Sequence, residues 1–462
     1  MALGKRKREQ QAAWVATTDL PMSPGHPFYQ KLNRLLGEAG FDDDVEKLCR
    51  PHYADGVGRP GIAPGIYFRM LFVGYFEGLD SQRAIAWRCH DSRSLQEFLG
   101  YAITEPTPDH SSLTVIRQRL PLSIHEQVFT KVLAIAQEKK LLKGKTVAVD
   151  STLLEAEAAM KSIVRRDNGD DPASWHGQWK EYLRKLMAEE GIENPSDEDL
   201  RKFDQRRKNK KVSNEEWMNP HDPDAKIAKM KDGTTHLAYK VEHVVDVESD
   251  LVLAAEVYTA DEADTATLSR TLTEAREHVE AAGGEADIKD VMADKGYHST
   301  ENLEWCHEHG IRTYIPERES PHGRRWTDKP DGQKQRVYGN RRRVRGNRGK
   351  ALGRLRSEYV ERSFAHTCET GGARRSRLRG WLNVAKRYLM YVAGRNLGVL
   401  MRAFFNMGTP RSLQTEGGAC PCANLGCWEV LETPLRCLGR SWKRLAACTI
   451  AHSSPPRFAR AA

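Results

Sequence analysis

The sequence predicts an α/β protein in which an all-α N-terminal domain precedes a mixed β-sheet flanked by helices. Three observations lead to this prediction. Apolar residues recur at helical spacing, between polar capping residues, from residue 27 to residue 137. Short β-branched apolar runs then begin at residue 146 and return between residues 236 and 316, separated by segments with helical spacing. Two of these runs end in an aspartate, Asp150 and Asp294.

Size and composition limit the class of protein. With 462 residues, the chain can bury one large core or form two to three domains of about 150 residues each. Charged residues make up 29% of it, and an excess of Lys and Arg gives a net charge of +9, which suits a polyanion such as nucleic acid. No run of about 18 apolar residues is present, so no membrane helix is predicted. The basic N-terminal segment lacks the apolar core of a signal peptide, and we expect a cytoplasmic protein.

The N-terminal part divides into an arm at residues 1–26 and a helical DNA-binding domain at residues 27–137. PGIYFRMLFVGYFEG, residues 64–78, is apolar on most faces, as a buried helix is, and Gly78 closes it. Asp80 offers an N-cap to the next helix. Short helices joined by capped turns suit a helix-turn-helix-like DNA reader, and by pattern alone they suit a helical bundle without that role equally well.

The second domain is predicted at residues 138–408. Its first strand ends on Asp150, and a charged helical insertion follows at about residues 160–220, which we interpret as solvated or, alternatively, as a DNA-contacting face. A hairpin, a helix capped by Asp264, the strand that ends on Asp294, a second helix and a last strand complete the domain. This order of elements is that of the RNase H-like fold.

The two aspartates indicate metal chemistry. Carboxylates at the ends of adjacent strands repel each other unless a cation lies between them. Oxygen ligands favour Mg²⁺ or Mn²⁺, and two such ions can stabilise the attacking and the leaving oxygen of an in-line phosphoryl displacement. A third carboxylate would complete the site. Glu358 and Glu361 both qualify, and their spacing alone does not choose between them.

Strongly basic segments lie on both sides of these glutamates. Residues at about 317–356 lack helical or strand periodicity, and we predict a flexible cationic loop that neutralises DNA phosphates without reading bases. Its DNA-binding residues are Arg341, Arg342, Arg343, Arg345, Arg348 and Lys350. A second cluster, to which the same argument applies, comprises Arg374, Arg375, Arg377 and Arg379.

The C-terminal part contains one more helix and a tail. Residues 381–405 are predicted as a core helix broken by Gly394 and Gly398. Residues 409–462 are predicted as a poorly ordered tail with five cysteines, whose spacing lacks the paired C-x₂-C of structural zinc sites. The other four cysteines are far apart in sequence and are interpreted as reduced thiols.

Several of these segments resemble DDE-type transposases of bacterial insertion sequences, and in particular the InsH-like branch. The segments are VAVDSTLLEAEAAM, DGTTHLAYKVEHVVD, VMADKGYHS, YGNRRRVRG and ERSFAHTCETGGARRSRLRG. The resemblance spans residues 15 to 414 and includes HPFYQKLN, GRPGIAPGIYFRMLFVGYFEGLDS and TPDHSSLTVIRQRL in the N-terminal domain. Several long segments in the order of the family are more specific than any one short motif.

The resemblance implies a catalytic triad of Asp150, Asp294 and Glu361 that binds two Mg²⁺ ions, for which Mn²⁺ can substitute. It also implies that the partner is double-stranded DNA, that the protein cuts the ends of its element and transfers the freed 3′ hydroxyl to target DNA, and that it acts as a homodimer. The chain departs from the wider superfamily at Cys368, where a Lys is common. The nearest cations are Arg362, Arg374 and Arg375. An arginine fork can bind phosphate in place of that Lys.

Two alternatives come from other classes of function. The chain could be a catalytically inactive or repurposed DNA-binding protein derived from such a transposase, or a metal-dependent nuclease without strand transfer. The presence of all three acids favours the active transposase. Lys295 and His298, which follow Asp294, are interpreted as a solvated and a structural residue.

Overall fold

The computed structural model describes most of the chain between residues 25 and 411. The described residues are 25–54, 61–165, 217–230, 233–284, 287–319 and 332–411, with shorter pieces between 183 and 215 and between 326 and 330. The predicted N-terminal arm, apart from its last two residues, and the predicted tail, apart from its first three, lie outside the described residues.

The N-terminal part is helical, as predicted. Its helices are α1 (Pro27–Glu38), α2 (Phe41–Cys49), α3 (Pro64–Glu77), α4 (Gln82–Asp91), α5 (Arg93–Phe98), α6 (His110–Arg119) and α7 (Leu122–Glu138). Helix α3 is buried along most of its length and ends at Gly78, whose φ of 66° suits a residue without a side chain. The N-cap of α4 is Ser81, which accepts a hydrogen bond from the N–H of Ala84 at 3.2 Å. The prediction of Asp80 as this cap was wrong, because its carboxylate binds Arg377 instead.

A mixed β-sheet follows the helices. Its strands are β1 (Thr146–Glu155), β4 (Lys226–Lys229), β5 (Thr235–Asp246), β6 (Val252–Thr259), β7 (Asp290–Met292) and β8 (Arg312–Tyr314). Strand β5 pairs antiparallel with β1, β4 and β6, whereas β7 pairs parallel with both β1 and β8. The spatial order β6-β5-β1-β7-β8 matches the predicted RNase H-like arrangement. The predicted fold class is therefore confirmed.

The charged insertion between β1 and β4 is described only in part. It contains β2 (Val164–Arg165), β3 (Trp217–Met218) and α8 (Asp197–Arg206). Strands β2 and β3 form a separate two-stranded antiparallel sheet.

The remaining helices pack around the sheet and join it to the N-terminal helices. They are α9 (Asp264–Ala281), α10 (Thr300–Glu308), α11 (Gln333–Arg345), α12 (Asn347–Phe364), a π-helical segment (Ala365–Thr370) and α13 (Trp381–Phe405). Helix α13 contacts α3, α7 and β6, so one hydrophobic core extends through the helical part and the sheet. Among the helices of the described residues, none is both long enough and apolar enough to span a membrane.

Helix α13 continues through Gly394 and Gly398, so the predicted break in this helix was wrong. A Cβ atom at Gly394 would lie 2.9 Å from the ring of Tyr75 on α3. The small residue therefore permits a close approach of two helices and does not interrupt one. Arg395, on the next position, is 1% exposed and binds Asp250 of the β5–β6 turn at 2.7 Å.

The predicted flexible loop at 317–356 was wrong for residues 333–356, which form α11 and most of α12. The buried positions of α11 are Val337 and Asn340, and α12 begins with a buried Gly349. A Cβ atom at Gly349 would overlap the last carbonyl groups of α11, so only glycine fits this tight helix-to-helix turn. Within residues 333–356, Val337 and Leu352 are both buried and apolar, and two such positions 15 residues apart are too few for hydrophobic periodicity to reveal these helical segments.

Helix α11 covers the exposed edge of β8. The side chain of Asn340 accepts a hydrogen bond from the N–H of Ile315 at 3.2 Å and donates one to its carbonyl oxygen at 2.7 Å. Arg343 donates to the carbonyl oxygen of Thr313 at 2.9 Å. Backbone groups that a sheet edge leaves unpaired are thus bound by side chains of one helix.

Replacing Asn340 with Ala should lower the free energy of unfolding by about 2–4 kcal/mol, because it leaves a buried N–H and a buried C=O without partners. Urea denaturation of the full chain measures this change. Asn347→Ala, at an exposed position of α12, is the control and should change it by about 0.5 kcal/mol or less. Equal unfolding midpoints for the two variants would contradict the role of Asn340 at the sheet edge.

Candidate active site

The register of β1 and β7 brings two acids together. Ala148 of β1 lies opposite Met292 of β7 in a parallel pair, and Asp150 and Asp294 each follow two residues later. The two carboxylates therefore lie side by side at the same edge of the sheet. Asp150 does not end its strand as predicted, since β1 continues to Glu155 along β5. The pairing of β1 with β7, by contrast, ends at Ala148, two residues before Asp150.

Asp294 begins a short turn of 3₁₀-helix at Lys295–Tyr297. Its Oδ1 atom accepts a hydrogen bond from the N–H of Gly296 at 2.6 Å. This bond fixes the direction of the carboxylate relative to the turn. Lys295 is exposed and His298 is buried, which is compatible with the solvated and structural roles predicted for them.

Arg356 of α12 compensates the charge of Asp150. Its Nη1 atom lies 2.7 Å from Oδ2 of Asp150, and the side chains of the pair are 19% and 27% exposed, respectively. Burial raises the pKa of Asp150 above its ordinary value, and the carboxylate of Asp294 raises it further. Arg356 and the N–H of Ser151 oppose this increase in the pKa. A cation is thus already in contact with the acid pair.

Glu361 lies on α12 as well, but on an exposed side of this helix. The side of α12 that faces the sheet carries Leu352, Arg356 and Val360, whereas Glu358 and Glu361 are exposed. Glu358 forms an ion pair with Arg362. Within the described part of the chain, no three His, Cys, Asp or Glu side chains are grouped closely enough to hold a metal ion. The structure therefore brings Asp150 and Asp294 together and does not bring Glu361 to them.

The acid pair nevertheless fits a divalent cation of the Mg²⁺ type. Two adjacent carboxylates supply the oxygen ligands that such ions prefer. The raised pKa of Asp150 and its contact with Arg356 both show that this position favours added positive charge. A divalent cation in place of the Arg356 guanidinium would compensate the negative charge of the two carboxylates at least as well.

Sequence reasoning missed a second set of polar residues on the other face of the sheet. Ser151, next to Asp150, donates a hydrogen bond to Asp264 of α9 at 3.1 Å. Asp264 was predicted as the N-cap of α9, but the cap position is Ala263 and Asp264 lies inside the first turn. Glu242 of β5 lies opposite Ser151 and is fully buried. The available signal was a glutamate in a strand of otherwise apolar residues.

The predicted DNA-binding residues of α11 and α12 fall into two groups. Arg341 forms a bidentate ion pair with Glu317, with both contacts at 2.8 Å. Arg343 donates to the carbonyl oxygen of Thr313. Arg348 lies 2.6 Å from the buried Asp290. These three side chains stabilise the fold around β7 and β8. The other group is exposed and, among the described residues, forms no ion pair. Its members are Arg342, Arg345, Lys350 and also Arg354, which the sequence analysis did not select.

The other predicted arginines contact acids of the protein. Arg362 binds Glu358, Arg374 binds Glu369, Arg375 approaches Glu155, Arg377 binds Asp80, and Arg379 donates to the carbonyl oxygen of Glu157. The contacts of Arg375 and Arg379 join the end of β1 to the segment before α13. The structure thus gives them intramolecular partners.

Two family models match the chain. One, described as "Transposase domain (DUF772)", matches residues 19–119, and the other, described as "Transposase DDE domain", matches residues 192–397. The second match contains Asp294 and Glu361 and begins after Asp150. Comparisons with curated proteins and with solved structures give no match.

Arg356→Met should raise the pKa of Asp150 further, because burial and Asp294 would then act against a weaker opposing charge. Carboxyl-carbon NMR titration of the protein labelled at aspartate measures the change. Arg354→Met, an exposed position on the same helix, removes the same charge and should leave the pKa of Asp150 unchanged. If the pKa of Asp150 is the same in both variants, the charge of Arg356 does not determine that pKa.

Proposed function

Because the chain belongs to the DDE transposases of insertion sequences, we propose that it cuts DNA at the ends of its element and transfers the freed 3′ hydroxyl to target DNA. The observation that carries this proposal is the placement of Asp150 beside Asp294 on the parallel strands β1 and β7. Neither family model tests the InsH-like branch, which stays a prediction.

Transposase DDE domains generally depend on divalent metal. We propose Mg²⁺, replaceable by Mn²⁺, bound as two ions by Asp150, Asp294 and Glu361. When bound, such ions stabilise both the attacking and the leaving oxygen of an in-line phosphoryl displacement. Glu361 lies on α12, the helix whose Arg356 contacts Asp150, and it is exposed on a different side of that helix. This common helix supports Glu361 over acids on other elements, and the choice over Glu358 rests on the family resemblance.

The residues of the chain itself orient the acids and attract the DNA. Arg356 balances the charge of Asp150, and a divalent cation held by Asp150 and Asp294 would replace this contact. The exposed cations Arg342, Arg345, Lys350 and Arg354 provide phosphate contacts without sequence specificity. DNA recognition by the helices of residues 27–137, a homodimer on DNA and a cytoplasmic location are further parts of the proposal.

Asp150→Asn, Asp294→Asn and Glu361→Gln should each abolish Mg²⁺-dependent cleavage of a DNA fragment that carries the ends of the element. Each change removes one negative oxygen ligand and keeps the size of the side chain. Cleavage and joining are measured separately on labelled DNA, with Mg²⁺ and with EDTA. Glu358→Gln is the matched control on the same helix and should cut and join as the native protein does.

The outcomes separate the alternatives. Cutting without joining by the native protein would indicate a nuclease and not a transposase. Binding of the element ends without cutting by any form would favour an inactive DNA-binding protein. Loss of cleavage in Glu358→Gln with retention in Glu361→Gln would assign the third acid to Glu358.

Lys350→Gln combined with Arg354→Gln should reduce the salt dependence of DNA binding, lowering the magnitude of the slope of log K against log salt by about 2. The reason is that a protein that contacts two fewer phosphates releases fewer counterions from the DNA when it binds. Fluorescence anisotropy with duplex DNA at several salt concentrations measures the slope.

Arg348→Gln combined with Arg362→Gln is the control for this measurement. It removes the same net charge from the same helix, but both arginines have acidic partners in the protein. The slope should therefore change less than in the first variant. Equal changes would show that net charge alone, and not the exposed side of α12, determines DNA binding.

A further inference from the structure

A buried polar cluster lies beneath the acid pair, on the face of the sheet opposite α12. We call it the α9 polar cluster, since half of it belongs to that helix. It comprises Lys240 and Glu242 of β5, Asp264, Thr267 and Thr271 of α9, and Tyr297. Because alternate residues of a strand point to opposite faces, Glu242 shares its face with Ser151, whereas its neighbour His243 shares the face of Asp150.

Glu242 is the centre of this cluster. Its carboxylate is fully buried and accepts hydrogen bonds from Thr267 at 2.7 Å, Thr271 at 2.5 Å and Tyr297 at 2.9 Å. Burial raises the pKa of Glu242 above its ordinary value, and the three hydroxyl donors and the charge of Lys240 oppose that rise. A carboxylate buried without a direct ion pair costs free energy relative to an apolar side chain. Because the buried Glu242 carboxylate carries this cost, we look for a role of this residue other than packing.

Tyr297 connects this carboxylate to Asp294. It is the last residue of the 3₁₀ turn that Asp294 begins, and it is itself fully buried. Asn302 donates a hydrogen bond to its carbonyl oxygen at 3.0 Å. The turn is thus held at its start by Asp294 and at its end by Tyr297. A movement of the tyrosine ring would be transmitted over three residues to the carboxylate.

The same cluster also contacts the strand that carries Asp150. Asp264 accepts hydrogen bonds from Ser151 at 3.1 Å and from Lys240 at 3.4 Å. A Cβ atom at Gly296 would lie 2.7 Å from Asp264 and 2.8 Å from Asp294, so both carboxylates lie close to this glycine. The cluster therefore touches a neighbour of each acid.

We propose that Glu242, acting through the hydroxyl of Tyr297, is a positioning residue that fixes the Asp294 carboxylate for divalent-metal binding. This inference rests on the proposed function, because it needs Asp294 to be a metal ligand. When a residue that orients a metal ligand without itself touching the metal is mutated, metal affinity commonly falls by about 10-fold to 100-fold.

Tyr297→Phe tests the inference by removing one hydroxyl. Glu242 keeps two hydroxyl donors in this variant, so the buried carboxylate remains partnered. We expect binding of Mn²⁺ to the DNA-free full-length protein to weaken about 10-fold. Electron paramagnetic resonance of free Mn²⁺ measures this affinity without any requirement for activity.

Tyr258→Phe is the matched control. The hydroxyl of Tyr258 is buried and binds Thr271 of the same cluster at 2.9 Å, but it does not contact the Asp294 turn. Both variants should lower the thermal unfolding temperature, and only Tyr297→Phe should weaken Mn²⁺ binding. If both variants lose stability and both bind Mn²⁺ as the native protein does, the cluster is purely structural and the inference is overturned.

Two further variants complete the test. If Tyr297→Phe does not fold, Glu242→Gln weakens the same hydrogen bond from the other side and should weaken Mn²⁺ binding in the same direction. Native affinity in that variant overturns the inference. Asp294→Asn serves as the reference for the site itself. Native affinity there overturns the proposed metal site, whereas loss there with native affinity in Tyr297→Phe overturns only the role of Glu242.

Discussion

The parallel pairing of β1 with β7 places two negative charges side by side, and the surroundings of the sheet edge follow from this constraint. Like charges at such a separation raise the free energy of the folded protein unless positive charge or hydrogen-bond donors compensate them. The chain supplies Arg356 on one face of the sheet. On the other face, Ser151 and Tyr297, which follow the two acids in sequence, donate hydrogen bonds to Asp264 and Glu242, respectively. The acid pair is thus supported from both sides.

The two faces contribute different properties. The α12 face carries a cation and the candidate third acid, and its outer side is exposed and basic. The α9 face is buried and bound by hydrogen bonds from helix and strand. The Arg356 cation therefore lies on the side that carries exposed basic residues, whereas the hydrogen-bonded cluster lies on the more buried side. This division suits the proposed site, which would accept divalent ions and DNA without losing its geometry.

Much of this arrangement could be predicted from sequence, but side-chain partners could not. The β-branched runs revealed the strands and the order of the fold, and with it the positions of Asp150 and Asp294. Helix α11 and the first half of α12 were missed because their buried positions, Val337, Asn340, Gly349 and Leu352, do not form a continuous apolar period. Glu242 was missed because a charged residue in a strand normally indicates a solvent-facing position. Glu358 and Glu361 could not be ranked, since the side of α12 that meets the sheet is set by packing.

The covering of β8 by α11 has a consequence for how copies of the protein can associate. Strand edges with free backbone groups allow two sheets to merge into one across a subunit boundary. Here Asn340 and Arg343 already occupy those groups at Thr313 and Ile315. Two copies cannot extend one another's sheet through β8 unless α11 first detaches. Association of protomers at this edge must then use the surface of α11, where side chains and not backbone ladders determine which copies recognise each other.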